Sequence, residues 1–290
     1  MKFGIMFAST GHYAEPEAAA AIGVAAEDFG LESIWSIEHV VIPDGYQSQY
    51  PYHESGKIPG GESWNMPDPL LWLTYVAALT SRITLATGIV ILPQRNPLVL
   101  AKECATLDRL SQGRFELGIG VGWLEEEFNA LGVPFARRGA RTDDYIGAMR
   151  ALWAADPASY HGEFVNFDDA ISLPRPDRGR VPVIVGGHSN AAAVRAGRLG
   201  DGFFPANADT NDLIRLRDVM RAAAVDHGRD PDAIEMTGGT WSPSRGELDE
   251  VRRLEDEGIS RLIVAPPTSN PDGVRDAMEQ LAERIAPVSD

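Results

Sequence analysis

The sequence repeats one pattern eight times: a short apolar run suited to a buried strand, then an amphipathic segment suited to a helix. We predict strands over residues 2–8, 33–37, 83–92, 114–119, 181–185, 202–205, 234–237 and 260–265. Helices are predicted over 16–29, 69–81, 97–110, 124–131, 138–153, 190–199, 212–227, 247–257 and 272–285. Eight βα units within 290 residues predict a (β/α)8 TIM barrel with insertions. A doubly wound open sheet, which also alternates strands and helices, is the alternative.

Charge and cysteine content exclude several classes of function. The chain has 26 Lys and Arg against 42 Asp and Glu, a net charge of −16, which argues against nucleic-acid binding and docking on anionic lipid. The single cysteine, Cys104, rules out an intrachain disulfide and a Cys-cluster metal site. No pair of the six histidines has metal-ligand spacing, so we expect no metal. The longest apolar stretch is about half a membrane span, and the N-terminus lacks a signal-peptide pattern, so we expect a cytoplasmic protein without membrane contact.

Two segments do not fit the alternation, although residues 1–290 are expected to form one barrel domain. Residues 43–68 are rich in Gly, Pro, Ser and Tyr, and their length favours a lid or binding loop over an idle connection. A disordered surface loop is the alternative, but the tyrosines and Trp64 favour packing. Residues 156–173 carry aromatic and turn residues typical of a small hairpin insertion.

The active site of such a barrel lies at the carboxyl ends of its strands, which selects candidate residues. Glu38 and His39 directly follow the second strand, and we predict both as catalytic, His39 because it can transfer a proton near neutral pH. The alternative for His39 is a purely structural hydrogen bond at a strand end.

Several glycine-rich turns follow other strands. Gly186, Gly187, His188 and Ser189 precede a helix, where free N–H groups favour an anion such as phosphate, although a plain turn also uses these residue types. Gly120 and Gly122 belong to a motif that resembles a dinucleotide fingerprint but has Trp123 where its last glycine would fall. Gly88 inside the third strand indicates a bulge or a close ligand approach. Arg137, Arg138 and Arg141 form a basic cluster that can hold an anion or cap a solvated helix start.

Longer motifs resemble the bacterial luciferase-like superfamily, and among it the deazaflavin (coenzyme F420)-dependent oxidoreductases of actinobacteria. They cover most of residues 1–206 in order: MKFGIMF, ESIWSIEHVVIP, LATGIVILPQRNPLVLAKECATLDRLSQGRFELGIGVGWLEEEFNALG, RRGARTDDYIGAMRALW and VPVIVGGHSNAAAVRAGRLGDGFFP.

The resemblance implies a barrel with a flavin or deazaflavin across its mouth. It implies a non-proline cis peptide at Gly88–Ile89, with Thr87 beside it, supporting the ring, and a cofactor phosphate at residues 186–189. His39 would face the ring and the substrate. The polyglutamate tail of F420 would need a basic groove, for which the candidates are Arg95, Arg137, Arg138 and Arg141. The candidate pocket residues are Phe7, Trp64, Trp123 and Phe204, and a homodimer is expected.

One departure from the family concerns the substrate. The glucose-6-phosphate dehydrogenases of this superfamily carry a Trp four residues after the His and a Glu directly after the Gly-x-Gly of the fourth strand. Pro43 and Trp123 stand at those positions here, which argues against sugar-phosphate oxidation.

Four functions remain open from the sequence. The first is an oxidoreductase that transfers a hydride between F420 and a small organic substrate, which the resemblance favours. The second is an FMN-dependent monooxygenase, which would need oxygen and a partner reductase. The third is a barrel lyase or isomerase acting on a phosphorylated substrate, which the absence of a clear Lys or paired-carboxylate constellation disfavours. The fourth is a non-catalytic flavin carrier, which the presence of His39 disfavours.

Overall fold

The strands form a closed parallel barrel. A computed structural model describes residues 1–58, 61, 63–206, 208–239 and 247–289. The strands are β1 (Lys2–Ile5), β2 (Ser33–Ser36), β3 (Thr84–Thr87), β4 (Val90–Ile91), β5 (Phe115–Gly120), β6 (Ala158–His161), β7 (Asn166–Ala170), β8 (Val183–Gly186), β9 (Gly202–Phe204), β10 (Glu235–Gly239) and β11 (Arg261–Val264). Around the sheet the order is β3-β2-β1-β11-β10-β9-β8-β5-β4, and pairing of β3 with β5 closes the ring. The barrel prediction is confirmed, and the open sheet is excluded.

Helices follow the strands much as the sequence predicts. They are α1 (Pro16–Asp28), α2 (Pro69–Ala77), α3 (Pro97–Leu110), α4 (Glu125–Ala130), α5 (Arg138–Ala154), α6 (Asn190–Leu199), α7 (Thr210–Asp226), α8 (Leu248–Asp256) and α9 (Val274–Ile285). Asn96 caps α3 by accepting hydrogen bonds from Leu98 N and Val99 N. No helix in the described part of the chain is long and apolar enough to cross a membrane.

The predicted third strand, 83–92, is divided in two. The chain leaves the sheet after Thr87, passes through a cis peptide bond between Gly88 and Ile89, and resumes as β4. β4 pairs with the end of β5, Val90 opposite Ile119 and Ile91 opposite Gly120. The bulge therefore lies at the carboxyl end of the barrel, at Gly88–Ile89, where the resemblance to the luciferase-like superfamily implies it.

Two segments project from the barrel. β6 and β7 pair antiparallel as a hairpin between α5 and β8. Residues 43–68 lie between β2 and α2, and positions 59, 60 and 62 of this segment lie outside the described residues. The described part has no helix or strand, and it places Tyr46 and Ile58 in a buried cluster with Leu124.

The barrel interior is apolar near the carboxyl ends and charged near the amino ends. Trp35, Ala86, Ile184, Phe204 and Ile263 form one buried interior cluster. At the start of β11, the Arg261 side chain is 1% exposed and pairs with three carboxylates, those of Glu32, Glu116 and Glu235. Burial by itself lowers the pKa of the Arg261 guanidinium. The three carboxylates together outweigh it and raise the pKa above its ordinary value. This charge cluster fills the amino-terminal end of the barrel interior, which leaves the opposite mouth for a ligand.

Candidate active site

A large cavity of about 1820 Å³ opens at the carboxyl ends of the strands. Its lining includes all the predicted site residues except Thr87, Arg95 and Arg141. Those that line it are Phe7, Glu38, His39, Trp64, Gly88, Ile89, Gly120, Gly122, Trp123, Arg137, Arg138, Gly186, Gly187, His188, Ser189 and Phe204. A space of this size accommodates a flavin-sized cofactor together with a substrate. Lining the cavity brings these residues together, while their individual roles stay predictions.

His39 is oriented by a buried carboxylate from another element. Its Nδ1 lies 2.9 Å from Oε2 of Glu127, on α4, whose side chain is 0% exposed. A carboxylate only accepts hydrogen bonds, so Nδ1 carries the proton and Nε2 is left for the cavity. The other oxygen of Glu127 accepts from Val40 N at 2.7 Å and from Val41 N at 3.2 Å. Glu127 thus fixes both the imidazole and the backbone that follows it.

Glu38 is engaged in a different way. Its carboxylate accepts from Ile91 N at 2.6 Å and from Nε of Arg95 at 2.7 Å, and Arg95 also pairs with Asp68. Burial raises the pKa of Glu38, while Arg95 and the Ile91 N–H oppose that rise. Since its oxygens are committed to Arg95 and to β4, the geometry favours a positioning role for Glu38 over the predicted catalytic one.

The glycines of β5 and β8 are explained by the bulge rather than by a ligand. A Cβ at Gly120 would lie 2.5 Å from Cδ1 of Ile89, and one at Gly186 would lie 2.6 Å from its Cγ2. At Gly118 the clash would be with the carbonyl oxygen of Thr87, at 1.8 Å. The prediction that these turns admit a flat ligand is therefore corrected in part, because the space beside Gly120 and Gly186 is taken by Ile89.

The loop 186–192 retains the features of an anion site. Gly187 has φ +122°, a conformation that L side chains rarely adopt. Its N–H donates to Phe204 O at 3.1 Å, while Ser189 caps α6 by accepting from Ala192 N at 3.2 Å. Within the described residues, the N–H groups of Ser189, Asn190 and Ala191 have no acceptor. These groups at the start of a ten-residue helix can receive an anion.

The arginines of the cavity are only partly those that the sequence indicates. Arg137 and Arg138 line it, and so does Arg195 on α6, which sequence reasoning missed. Arg195 pairs with Asp143 and donates to Gly139 O at 3.2 Å. Arg138 donates from Nε to Gly122 O at 3.0 Å, and burial lowers its pKa.

Three predictions need correction. Arg141 is 7% exposed, does not line the cavity, and donates to the carbonyls of Pro134 and Ala136, so its guanidinium holds a turn. Arg95 is neutralised by Glu38 and Asp68 and is not free for a coenzyme tail. The Thr87 hydroxyl donates to Gly118 O at 2.7 Å inside the barrel wall.

Aromatic side chains form one side of the cavity, here called the aromatic wall: Phe7, Tyr50, Tyr52, Trp64 and Trp123. The Trp123 ring centroid lies 5.7 Å from that of His39 and 5.2 Å from that of Tyr50. Tyr50 contacts Tyr52 at 5.4 Å, and Tyr52 lies 4.8 Å from the His188 ring. The segment 43–68 therefore spans from the catalytic candidate His39 to the anion loop.

Glu126 fastens this segment to α4. Its carboxylate accepts from the N–H of Gln47 at 2.7 Å and from the hydroxyl of Ser48 at 2.6 Å. The hydrogen bond from Ser48 lowers the pKa of Glu126 to about 2, with help from the Gln47 N–H. Glu126 thus ties residues 47 and 48 of this segment to the start of α4.

Sequence reasoning also missed Glu127, although a signal was present. Leu124, Glu127 and Phe128 follow the i, i+3, i+4 spacing of a buried helix face, and all three are buried. A carboxylate on such a face requires a partner.

In the described part of the chain, no group of three or more His, Cys, Asp or Glu side chains could hold a metal ion.

Comparison with known proteins identifies the family. The family model described as luciferase-like monooxygenase matches residues 1–240. An uncharacterized protein of Mycobacterium tuberculosis is 31% identical over 291 residues, 99% of each chain. An F420-dependent glucose-6-phosphate dehydrogenase of Kineococcus radiotolerans is 33% identical over 228 residues, which are 77% of this chain and 62% of that enzyme.

Solved structures share the fold. An F420-dependent secondary alcohol dehydrogenase in complex with an F420-acetone adduct matches with a TM-score of 0.81 at 18% identity, over 100% of this chain and 99% of that one. The FMN-bound oxygenating constituent of 3,6-diketocamphane monooxygenase from Pseudomonas putida matches with a TM-score of 0.77 at 16% identity, over 100% and 99%. Because the family model matches most of its length, this chain belongs to the luciferase-like monooxygenase family.

Proposed function

We propose that this protein is an oxidoreductase that transfers a hydride between a deazaflavin coenzyme of the F420 type and a small organic substrate. The observation that carries the proposal is the joint presence, in one cavity, of the Glu127-oriented His39 and the anion loop 186–192. The names of the 33% identical relative and of one solved neighbour, both F420-dependent dehydrogenases, support the deazaflavin.

The residues present fit such a coenzyme. Its phosphate would be held by the N–H groups at the start of α6, where Gly187 leaves the approach clear of a side chain. Arg138 would add positive charge beside it, while Arg195 is already paired with Asp143. Arg137, 59% exposed and paired with Glu163 at the surface, is the candidate nearest to solvent for an acidic tail.

The reaction divides between cofactor and protein. When bound, the coenzyme supplies the carbon that gives or takes the hydride. His39 donates or accepts the accompanying proton at Nε2, and Glu127 holds the ring with that nitrogen toward the cavity. The aromatic wall and Phe204 exclude water from the reacting groups, which strengthens each polar interaction there.

An FMN-dependent monooxygenase is the second candidate, since the same phosphate cradle and His39 would serve it. Likeness in fold to the FMN-bound oxygenating enzyme supports it. This alternative needs oxygen and a partner reductase that delivers reduced flavin. The monooxygenase description of the family counts against a lyase or isomerase that acts on a phosphorylated substrate without a redox cofactor, and against a non-catalytic carrier.

A side-by-side titration separates the two cofactors. Purified protein is titrated with F420 and with FMN, and binding is followed by quenching of tryptophan fluorescence. The method suits this site because Trp64 and Trp123 line the cavity. We expect micromolar or tighter binding of F420 and much weaker binding of FMN. Preference for FMN would favour the monooxygenase, and binding of neither would contradict the proposed redox function.

A further inference from the structure

We infer that the substrate is an uncharged molecule with a flat apolar body, which packs on the aromatic wall beside His39. The inference rests on the proposed function, because it takes His39 as the position of the reacting group. It is carried by the arrangement of rings and of charges around that residue.

The rings next to His39 offer a flat apolar surface. Trp123 presents its ring at 80° to His39 and contacts Tyr50, and both line the cavity. Trp64, which contacts Phe7 at 6.1 Å between ring centroids, packs against the same buried cluster as Trp123. Aromatic faces bury a large contact area against flat ring systems, but they offer no hydrogen-bond partners to the polar groups of a ligand.

The surface is fixed by its support. Tyr46 lies behind Trp123 at 5.5 Å, and its hydroxyl accepts from Ile58 N at 2.9 Å. Tyr50 N donates to Gly56 O at 2.8 Å. Burial raises the pKa of Tyr50 to about 12, so that its hydroxyl stays neutral. The wall is therefore preformed and uncharged.

Charged groups close to His39 are already paired with one another. Glu127 is taken by His39 and two backbone N–H groups, and Glu38 by Arg95. Lys57 lies 3.8 Å from the Tyr46 ring centroid and donates to the Tyr46 carbonyl. A charge placed directly beside His39 would therefore lose its hydration while the charged groups nearest to it already have partners.

The arginines of the cavity come from α5 and α6. Arg137 lies at the start of α5, and Arg195 lies on α6, the helix that follows the anion loop. Arg138 donates from Nε to Gly122 O at 3.0 Å, and His12 and His53 line the rim and are exposed. Trp123 and the already paired Glu127 lie against the His39 ring itself, so the position beside His39 favours an apolar, uncharged group.

A set of probes with one ring system and different charges tests this directly. Dissociation constants of neutral 2-acetonaphthone, anionic 2-naphthoate and cationic 2-naphthyltrimethylammonium are measured by calorimetry, with and without F420. We expect the neutral probe to bind at least about tenfold tighter than either ion. Equal or tighter binding of an ion, or no binding of the neutral probe, would overturn the inference.

Variants then locate the binding surface. Trp123→Ala should weaken the neutral probe by about tenfold, while Trp123→Phe, which keeps a ring, should stay within about threefold of the wild type. Val225→Ala, at an exposed site on α7 away from the cavity, is the control and should change nothing. An unchanged affinity in Trp123→Ala, with folding checked by circular dichroism, would refute the wall as the substrate site. Failure of F420 to bind while the neutral probe still binds would count against the proposed function alone.

Discussion

His39 and Glu127 stand 88 positions apart in the sequence, yet Nδ1 of the imidazole lies 2.9 Å from Oε2 of the carboxylate. The pair joins the loop after β2 to the first turn of α4, the helix that follows β5. A histidine held in this way has one defined nitrogen available for proton transfer.

Removing either partner should lower turnover without releasing the coenzyme. We expect His39→Ala to reduce kcat by about 10²-fold or more, because the proton donor or acceptor is lost. Coenzyme affinity should stay within about tenfold, since one or two hydrogen bonds at most are removed. Glu127→Gln should reduce kcat by about tenfold or more, because the amide orients the ring but does not stabilise its protonated form.

The measurement is kcat beside the coenzyme dissociation constant for each variant. Glu125→Gln, at the start of the same helix but exposed, is the matched control and should retain wild-type values. Full activity in His39→Ala would remove its catalytic role, and equal activity in Glu127→Gln and the wild type would reduce the pair to a structural contact.

Local patterns in the sequence predicted the fold because the barrel repeats one local unit. Periodicity located all eight barrel strands, and the Asn96–Pro97 pair located the start of α3. The mouth of the barrel then follows from a general rule, which is why the sequence selected His39 and residues 186–189 as candidates, and all of them line the cavity.

Partnerships between distant side chains were not predictable in this way. Nothing in three consecutive glutamates shows that Glu126 fastens a loop while Glu127 holds His39, since each outcome depends on how α4 is placed on the barrel. Arg141 and Arg138 looked equivalent in sequence, but only Arg138 lines the cavity. The Ile89 side chain gave the glycines of β5 and β8 a packing role that the motif did not indicate.

The anion loop should fail when it receives a negative charge. Gly187→Asp should abolish coenzyme binding, because the carboxylate would oppose the phosphate at a position with φ +122°. Gly187→Ala separates charge from conformation and should bind more weakly than the wild type but better than Gly187→Asp. Gly228→Asp is the control, since Gly228 also has a positive φ (+67°) and its Cβ would meet nothing within 4 Å. Unchanged affinity in Gly187→Asp would remove the phosphate from this loop.

Ile89 and Gly120 should be coupled in stability. A Cβ at Gly120 would meet Cδ1 of Ile89 at 2.5 Å and Cγ1 at 2.9 Å, so we expect Gly120→Ala to destabilise the protein by about 1–3 kcal/mol. Ile89→Ala removes both atoms and should recover part of that loss in the double variant. Denaturant unfolding of the four proteins measures the coupling, and strictly additive effects would contradict the contact.

Glu126 should stabilise the protein in a pH-dependent way. Its pKa in the folded state is lowered from 4.5 to about 2, chiefly by the Ser48 hydroxyl. The contribution is therefore complete above about pH 4.5 and is lost as the pH falls toward 2. Glu126→Gln should be less stable than the wild type at pH 7, by at most about 1 kcal/mol because solvent screens the carboxylate.

Chemical unfolding of both proteins across this range measures the difference. It should be constant between about pH 5 and 8 and should shrink below, while Glu125→Gln shows no such difference. A difference that grew as the pH fell would reverse the sign of the linkage and contradict the role of Ser48.

We propose, finally, that the chain forms a homodimer through the exposed face of α2. Leu71 is 74% exposed, and Tyr75 and Leu79, each four residues further on, are both 44% exposed. Leu71 and Tyr75 lie on one face of α2 and Leu79 follows its end, and we propose that a second copy covers these large side chains. Leu71→Asp should convert the dimer into a monomer of 31.4 kDa. Val225→Asp is the control, because it also replaces an exposed apolar side chain (62% exposed, on α7) and should leave the dimer intact. Light scattering coupled to size exclusion measures the mass, and a wild-type monomer, or a dimer that survives Leu71→Asp, would contradict this interface.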